Sequence, residues 1–381
     1  MKILVTGSNG FIGKNLCIWL NRAGYSVLKV DLDNLSVLDK YVPEADFIIH
    51  LAGINRPLDP KEFLDGNVNS IVKVTKLLKK HKKKTPILMS SSTQAANDND
   101  YGRSKKQAED YLFDFAKTNK SPVYVYRFQN VFGKWCRPNY NSVIATWCYN
   151  ISHGLDIRVD DEGKRITFVY IDDICQAILN ILSGDKYLGS EGIMYVWPSY
   201  DITLGHVAYL LRTYKESRNN KFVPYQRDEF ERKLYATYLS YLEEDDFSYD
   251  LKMNVDNRGS FTEFLKTERE GQVSVNVSKP GITKGNHYHH SKNEKFLVVS
   301  GTCSIKFRKI GTDKVIEYIC SGDKLQVVDI PTGYTHNITN IGDTDSVTVM
   351  WASELFDPNR PDTFFEEVEK NENKLDKKNI L

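Results

Sequence analysis

The chain has 381 residues, room for two or three domains at about 150 residues each. Its 51 Lys and Arg nearly cancel its 50 Asp and Glu, which argues against a nucleic-acid groove or a polybasic membrane anchor. With 41% hydrophobic and 27% charged residues, a mean hydropathy of −0.45 and no apolar run near the ~18 residues of a membrane span, a soluble protein with no membrane insertion is expected. Six scattered cysteines lack the paired spacing of a disulfide scaffold or a Cys-rich zinc site, and a reducing compartment fits them best. Strand-like residues begin at Lys2, so no signal peptide is expected and the predicted address is cytoplasmic.

Met1 to Thr6 is a short apolar run entering a Gly-rich turn, and Phe11 to Ala23 then carries apolar residues at helical spacing up to Gly24. Further buried strands are predicted at Val27–Val30, Phe47–His50, Ile87–Met89 and Val123–Tyr126, with amphipathic helices near Lys61–Lys80 and Ser104–Lys117. Such alternation predicts a parallel, doubly wound α/β sheet covered by helices. The pattern persists to about residue 240, where Tyr235 to Phe247 turns polar and acidic. Beyond it, short β-rich runs at Ser260–Thr267, Gln272–Val277, Lys295–Val299, Thr302–Arg308, Val315–Cys320, Leu325–Ile330 and Ser346–Trp351 predict an all-β sandwich or barrel. The expected division is 1–243, 247–368 and a charged tail over 369–381. The basic run Lys79–Lys84 is read as a solvated helix end.

Gly7, Gly10 and Gly13 stand at GxxGxxG spacing, directly after a strand and opening a helix. Glycines there allow a sharp turn and close approach of a pyrophosphate to the helix N-terminus. Asp31 ends the second strand, where a carboxylate accepts ribose hydroxyls and repels a 2′-phosphate, favouring NADH over NADPH. Tyr101 and Lys105 lie four apart on one helical face, after Ser90-Ser91-Ser92 at a strand end. Hydride delivery to a ketone leaves an alkoxide needing a proton, and a Tyr beside a cation can supply it.

These residues resemble the extended short-chain dehydrogenase/reductases acting on nucleotide sugars, over roughly residues 1 to 240. The resemblance rests on TGSNGFIG (6–13), HLAG (50–53), the serine run, YGRSK (101–105), RFQNVFG (127–133) and FVYIDDI (168–174). It implies a Rossmann-type fold with Tyr101 as acid–base, Lys105 lowering its pKa, and Ser92 (Ser91 second) polarising the substrate carbonyl. The implied cofactor contacts are Gly7, Asn9, Gly10, Phe11, Ile12, Gly13, Asp31, Leu51, Ala52, Tyr101 and Lys105. Asn130 and Arg137 are the implied substrate contacts, and Asn67 a supporting helix residue. Ala96 departs from the Tyr that many members carry there, and Asp31 leaves the choice of NADPH or NADH open.

Four of the eight histidines, His287, His289, His290 and His336, cluster within the β-rich part. His287 and His289 alternate along a strand, Glu294 follows a turn, and His336 can arrive from a neighbouring strand. Imidazoles with a carboxylate suit Zn²⁺, Fe²⁺, Mn²⁺ or Ni²⁺, with Zn²⁺ the first expectation. The spacings of Gly281, His287, His289, Glu294 and Gly301, and of Pro331, Gly333, His336 and Asn340, resemble the two cupin motifs, so an all-β cupin barrel is implied. DNRGSFTE (256–263), QVSVN (272–276) and KGNH (284–287) are similar to deoxysugar 3,5-epimerases, in which the counterpart of His287 is a catalytic base; both roles for His287 stay open. The two halves together resemble a family of capsular-polysaccharide enzymes. That implies a homodimer acting on a UDP-linked 4-keto-6-deoxy-N-acetylhexosamine, with C3 epimerisation preceding reduction by NAD(P)H. The alternative is a plain 4-reductase whose metal-binding cupin is not catalytic.

Overall fold

The computed structural model describes residues 1–57, 59–184 and 192–370. They fall into two compact units: Met1–Lys215 with Tyr225–Glu244, and Glu216–Pro224 with the chain from Asp245 onward. From residue 371 the expected charged tail lies outside the described residues. No helix among those described is long and apolar enough to cross a membrane.

The first unit runs β1 (Lys2–Thr6), α1 (Phe11–Arg22), β2 (Ser26–Val30), α2 (Leu38–Glu44), β3 (Phe47–His50), α3 (Ser70–Lys80), β4 (Ile87–Ser92), α4 (Asp100–Asn119), β5 (Val123–Phe128), β6 (Asn130–Phe132), α5 (Val143–Ser152), β7 (Arg165–Tyr170), α6 (Ile171–Leu182), β8 (Ile193–Met194), β9 (Tyr200–Thr203), α7 (Leu204–Asn220) and α8 (Glu229–Leu239). Its main sheet has the order β2-β1-β3-β4-β5-β8, and every pairing is parallel. Because both faces are covered, strands read as apolar runs rather than alternations: Ile3, Leu4 and Val5 are all fully buried. One face packs Leu16 and Leu20 of α1 with Ile174 and Ile178 of α6. The other packs Val42, Ile71, Val74, Leu78, Leu112 and Phe115 from α2, α3 and α4.

Strand order reverses between β1 and β3, and such a switch point opens a crevice at the carboxyl ends of the strands. The sequence supplies a short-range reason for the loop at that edge. Gly7 has φ +72°, and a Cβ on it would sit 2.8 Å from the Ala52 backbone N. A Cβ on Gly13 would lie 2.1 Å from the Gly7 carbonyl oxygen. Only glycine permits α1 to begin so close to β1 and β3.

The second unit is antiparallel: β10 (Asn254–Asp256), β11 (Gly259–Lys266), β12 (Gln272–Ser278), β13 (Thr283–Tyr288), β14 (Glu294–Ser300), β15 (Thr302–Lys309), β16 (Val315–Ser321), β17 (Val327–Ile330), β18 (Tyr334–Asn340), β19 (Ser346–Ala352) and β20 (Phe364–Phe365). The all-β expectation holds: the strands form two antiparallel sheets, β10-β11-β12-β19-β14-β17 and β16-β15-β18-β13-β20, with no closed barrel found among the described residues. Closure fails because β17 pairs only with β14, and β16 ladders only with β15, among the described residues. The segment 216–224 is also tied here: Lys266 N–H donates to the Lys221 carbonyl, Val223 N–H to that of Lys266, and Lys221 Nζ reaches Glu263 at 3.2 Å.

The apolar core of this unit is Phe296, Val298, Ile305, Phe307, Val328, Ile330 and Ile338 with Cys303 and Cys320. On β12, however, the buried positions are Gln272, Ser274, Asn276 and Ser278, and on β19 Ser346 and Thr348. Alternation is present, but the polar side faces inward, which suits the wall of a ligand cavity rather than a packed core.

Candidate active sites

In the first unit, the predicted residues converge on the carboxyl edge of the parallel sheet. Gly10 is the N-cap of α1; no side chain caps that helix and its first turn holds no acid. The free N–H groups and the positive dipole end there suit a pyrophosphate. Asn9, Phe11 and Ile12 belong to this turn and first helical turn, and Leu51 and Ala52 follow β3 against Gly7. Asp31 sits at the end of β2 as expected, but its carboxylate is engaged: Oδ2 accepts the Asn9 N–H at 2.7 Å and Oδ1 the Leu32 N–H at 2.9 Å.

Ser92 ends β4, and Tyr101 and Lys105 lie on α4. Two devices bring them together. A Cβ on Gly102 would come within 2.3 Å of the Gln94 carbonyl and 2.4 Å of that of Asn97, so only glycine lets α4 press onto the turn after β4. Asn99 caps the helix by accepting the Gly102 N–H at 2.7 Å. As a result the Ser92 hydroxyl lies close enough to the Tyr101 phenol to act on its ionisation. Lys105 is buried, its Nζ 5.9 Å from the Tyr101 ring centre and 3.4 Å from the Ser90 carbonyl.

The electrostatics differ from the expectation. Burial pushes the Tyr101 phenol above its ordinary value, against the opposing Ser92 hydrogen bond, while burial draws Lys105 down to about 8. Desolvation of the phenolate outweighs any depression by the Lys105 charge beside the ring, so the net shift is upward. Tyr101 is then a protonated phenol at neutral pH, the form a proton donor requires.

The two serines part company. Ser91 Oγ donates to Glu109 Oε1 at 2.5 Å, and Glu109, fully buried, also takes two bonds from Arg127 at 2.9 and 2.6 Å. Ser92 keeps its hydroxyl beside Tyr101. Asn67 lies in a segment, Leu64–Asn69, wound wider than an α-helix. Its amide bonds the backbone of Ile54 in both directions and donates to Ser104 Oγ at 2.9 Å, bracing α4 one residue before Lys105. Gly53 leaves the room: a Cβ there would meet Asn67 Oδ1 at 2.8 Å and Lys105 Nζ at 3.0 Å. His50, pressed by burial and by Lys105 to about 3, is a neutral partner of Thr6 and Ser70. Asn130 starts β6 and donates to the Thr167 carbonyl at 3.1 Å. Arg137 is exposed, its guanidinium 5.3 Å from the Tyr140 ring centre. Sequence reading did not find the Glu109–Arg127 pair or Gly53, since each acquires meaning only through a distant partner.

In the second unit, His287 on β13, His289 just after it, Glu294 at the start of β14 and His336 on β18 offer ligand atoms all within 4.8 Å of one another. His289 Nε2 and His336 Nε2 stand 3.4 and 3.5 Å from Glu294 Oε2. His289 and His336 are 1% exposed, and neither ring nitrogen of His336 has a well-formed hydrogen bond. Buried imidazoles left this way are costly unless something else takes their lone pairs, so the set fits a divalent cation with N and O ligands. Burial opposes the Glu294 charge, yet the neighbouring imidazoles of His289 and His336 and the Lys292 ammonium hold its carboxyl well below the usual range. His290, the fourth clustered histidine, stands instead against the Phe364 ring at 4.7 Å. Glu294 and Lys292 border a cavity of about 380 Å³ walled also by Glu263, Gln272, Ser274 and Met350.

Comparison with known proteins agrees with this two-part construction. The NAD dependent epimerase/dehydratase family model matches residues 3–191, and the polysaccharide biosynthesis C-terminal domain matches 254–364. A Pseudomonas aeruginosa protein named UDP-2-acetamido-2,6-beta-L-arabino-hexul-4-ose reductase is 43% identical over 366 residues, spanning 96% of this chain and 98% of its own. The crystal structure of the capsular polysaccharide assembling protein CapF from Staphylococcus aureus is 51% identical with a TM-score of 0.91, covering 97% of this chain and all of that one. A UDP-glucuronic acid 4-epimerase from Bacillus cereus, solved with NAD, shares the fold at 19% identity and a TM-score of 0.54 over 63% of this chain and 96% of that one.

Proposed function

Because the chain belongs to the family of sugar-nucleotide reductases that includes the P. aeruginosa enzyme, we propose that it works on one UDP-linked 2-acetamido-2,6-dideoxy-4-keto-hexose in two steps. The second unit, read as a cupin-type metal domain, inverts C3; the first then reduces the C4 ketone with NAD(P)H. The product is UDP-2-acetamido-2,6-dideoxy-β-L-talose, a precursor of UDP-N-acetyl-L-fucosamine for capsule or O-antigen synthesis. The observation that carries this reading is that each unit holds its own chemical set: Ser92, Tyr101 and Lys105 in one, three imidazoles and a carboxylate beside a cavity in the other.

The order follows from chemistry. A C4 ketone acidifies the C3 hydrogen, and reduction abolishes that acidity, so inversion comes first. His287, His289, Glu294 and His336 would hold the cation, proposed to be Zn²⁺; when bound it supplies electrostatic stabilisation to an enolate. The polar wall of Gln272 and Ser274 receives the sugar hydroxyls. The alternative to ligation for His287 is the role of base removing the C3 proton, with His289, Glu294 and His336 left to hold the cation; its lesser burial relative to His289 and His336 is compatible with that role.

In the first unit the turn Gly7–Gly13 and the start of α1 take the dinucleotide pyrophosphate, and the nicotinamide supplies the hydride when bound. The Ser92 hydroxyl polarises the C4 carbonyl. Tyr101 donates its phenolic proton to the alkoxide, and the Lys105 ammonium, close beside the ring, stabilises the phenolate left behind. Exposed Arg137 is assigned to the substrate diphosphate and Asn130 to the sugar.

The test is proton NMR of the protein with the UDP-linked 4-keto sugar in D₂O without nicotinamide. Enzyme-dependent loss of the C3 proton signal is expected. Retention of that signal, in protein that still oxidises NADPH or NADH with the ketose, would leave a plain reductase with a non-catalytic β-domain.

A further inference from the structure

His289 and Glu294 are joined by the short turn of residues 290–293, and that turn is clamped from far away in the sequence. Asp362 Oδ1 accepts the His290 N–H at 2.9 Å, and Oδ2 accepts the N–H groups of Ser291 and Lys292 at 2.7 Å each and the Ser291 hydroxyl at 2.8 Å. The main-chain carbonyl of the same residue accepts from His289 Nδ1. A carbonyl can only accept, so the proton of neutral His289 is on Nδ1 and its Nε2 lone pair points toward Glu294 and the other imidazoles.

The segment bearing Asp362 is itself fixed. β20 pairs with β13 at His287↔Phe365 and Tyr288↔Phe364, alongside one of the clustered histidines and the residue before His289. Lys292 Nζ reaches Thr363 Oγ1 at 3.1 Å. Arg308, 1% exposed, donates to the Val368 carbonyl at 2.9 Å, the Glu367 carbonyl at 2.7 Å and Glu366 Oε1 at 2.7 Å. Asn286, with φ +60°, accepts the Glu366 N–H at its carbonyl and the Val368 N–H at Oδ1. A buried guanidinium with three partners on one segment leaves that segment little freedom.

We propose that Asp362 is a positioning residue of the metal centre: its carbonyl sets the tautomer and aim of His289, and its carboxylate holds the turn that fixes His289 relative to Glu294. The inference rests on reading the His287–His289–Glu294–His336 cluster as a metal centre. Partners of this kind orient the ligands, and losing one typically weakens metal affinity by about 10- to 100-fold. Asp362→Ala leaves the backbone carbonyl but frees the turn, so it weakens Zn²⁺ binding within that range. Asp362→Asn keeps one accepting oxygen but sets an amide NH₂ against backbone N–H groups, so a smaller loss is expected.

The experiment is competition for Zn²⁺ between the full-length chain and a chromophoric chelator, with the visible spectrum of the Co²⁺-loaded protein as a second readout. Weaker Zn²⁺ retention and an altered Co²⁺ spectrum in Asp362→Ala and Asp362→Asn are the expected results, together with some lowering of the melting temperature of the metal-free proteins. A merely structural role would lower the melting temperature without moving the Co²⁺ bands. Equal Zn²⁺ affinity and identical Co²⁺ spectra in wild type and variants would overturn the positioning role alone. Failure of wild type to bind Zn²⁺ stoichiometrically would overturn the metal reading itself. Should Asp362→Ala not fold, the affinity and spectrum of Asp362→Asn decide.

Discussion

Ser91 and Ser92 are neighbours on one strand end, and the geometry gives them opposite consequences on substitution. Ser91→Ala removes a hydrogen bond to the buried Glu109, the ion-pair partner of Arg127, which keeps its two bonds from that guanidinium. A hydrogen bond to a charged group contributes about 1.5–3 kcal/mol. At roughly 2–4 °C per kcal/mol for a unit of this size, the first unit should melt about 3–12 °C lower. Its ketone reduction at permissive temperature should fall less than about threefold, because Ser91 does not face the reacting carbonyl. Ser92→Ala should do the reverse. It loses the acceptor for the Gln94 N–H at 3.2 Å, a cap in the range of about 0.5–2 kcal/mol. It also loses the hydroxyl beside Tyr101 that polarises the ketone, a loss of about 10²–10³ in kcat by analogy with a removed oxyanion donor. The assays are thermal melts and steady-state nicotinamide oxidation with the 4-keto sugar. Equal loss of turnover in the two variants, or a Ser92→Ala protein of full activity, would refute the assignment of the polarising hydroxyl.

Three further outcomes follow from the first unit. Gly13→Ala places a Cβ 2.1 Å from the Gly7 carbonyl oxygen, so fluorescence titration should show nicotinamide binding lost, beyond the ~1–3 kcal/mol of ordinary overpacking. Lys105, drawn to about 8 by burial, carries its charge below that pH and loses it above; kcat/KM for reduction should be level toward neutral pH and fall about tenfold per pH unit beyond about 8. Lys105→Met should abolish that limb, and its persistence would assign the titration elsewhere. Asp31→Ser should raise NADPH use relative to NADH by at least about tenfold, since like charges near 4 Å apart repel by ~1–4 kcal/mol; an unchanged ratio would show that the carboxylate, held by Asn9 and Leu32, does not meet the ribose.

What was legible in the sequence was what short spacing encodes. The glycine turn, the Tyr101–Lys105 pair on one helical face and the His287–Tyr288–His289 alternation each need only a helix or strand to acquire geometry. The direction of the Tyr101 shift was not legible, because it depends on how much protein closes over the phenol rather than on its neighbour four residues on. The inward side of β12 was equally hidden: alternation of Val with Gln, Ser and Asn reads the same whichever side faces in, and here the polar side does. The wide turn over Leu64–Asn69 and the pairing of 221–223 with Lys266 leave no trace in hydropathy, since both are set by tertiary contacts. Asp362 carries no signal at all, as nothing local distinguishes it from the surface acids around it; only folding brings it to the turn after His289.

The central claim is that two chemistries reside in two separate residue sets. The most direct measurement follows C3 proton exchange in D₂O and nicotinamide oxidation in parallel, on Tyr101→Phe and Glu294→Gln proteins given the same UDP-linked 4-keto sugar. The account predicts that Tyr101→Phe exchanges the C3 proton at the wild-type rate but oxidises no cofactor, while Glu294→Gln loses exchange yet still reduces sugar that is already inverted at C3. Loss of both activities in Tyr101→Phe, or undiminished exchange in Glu294→Gln, would contradict it.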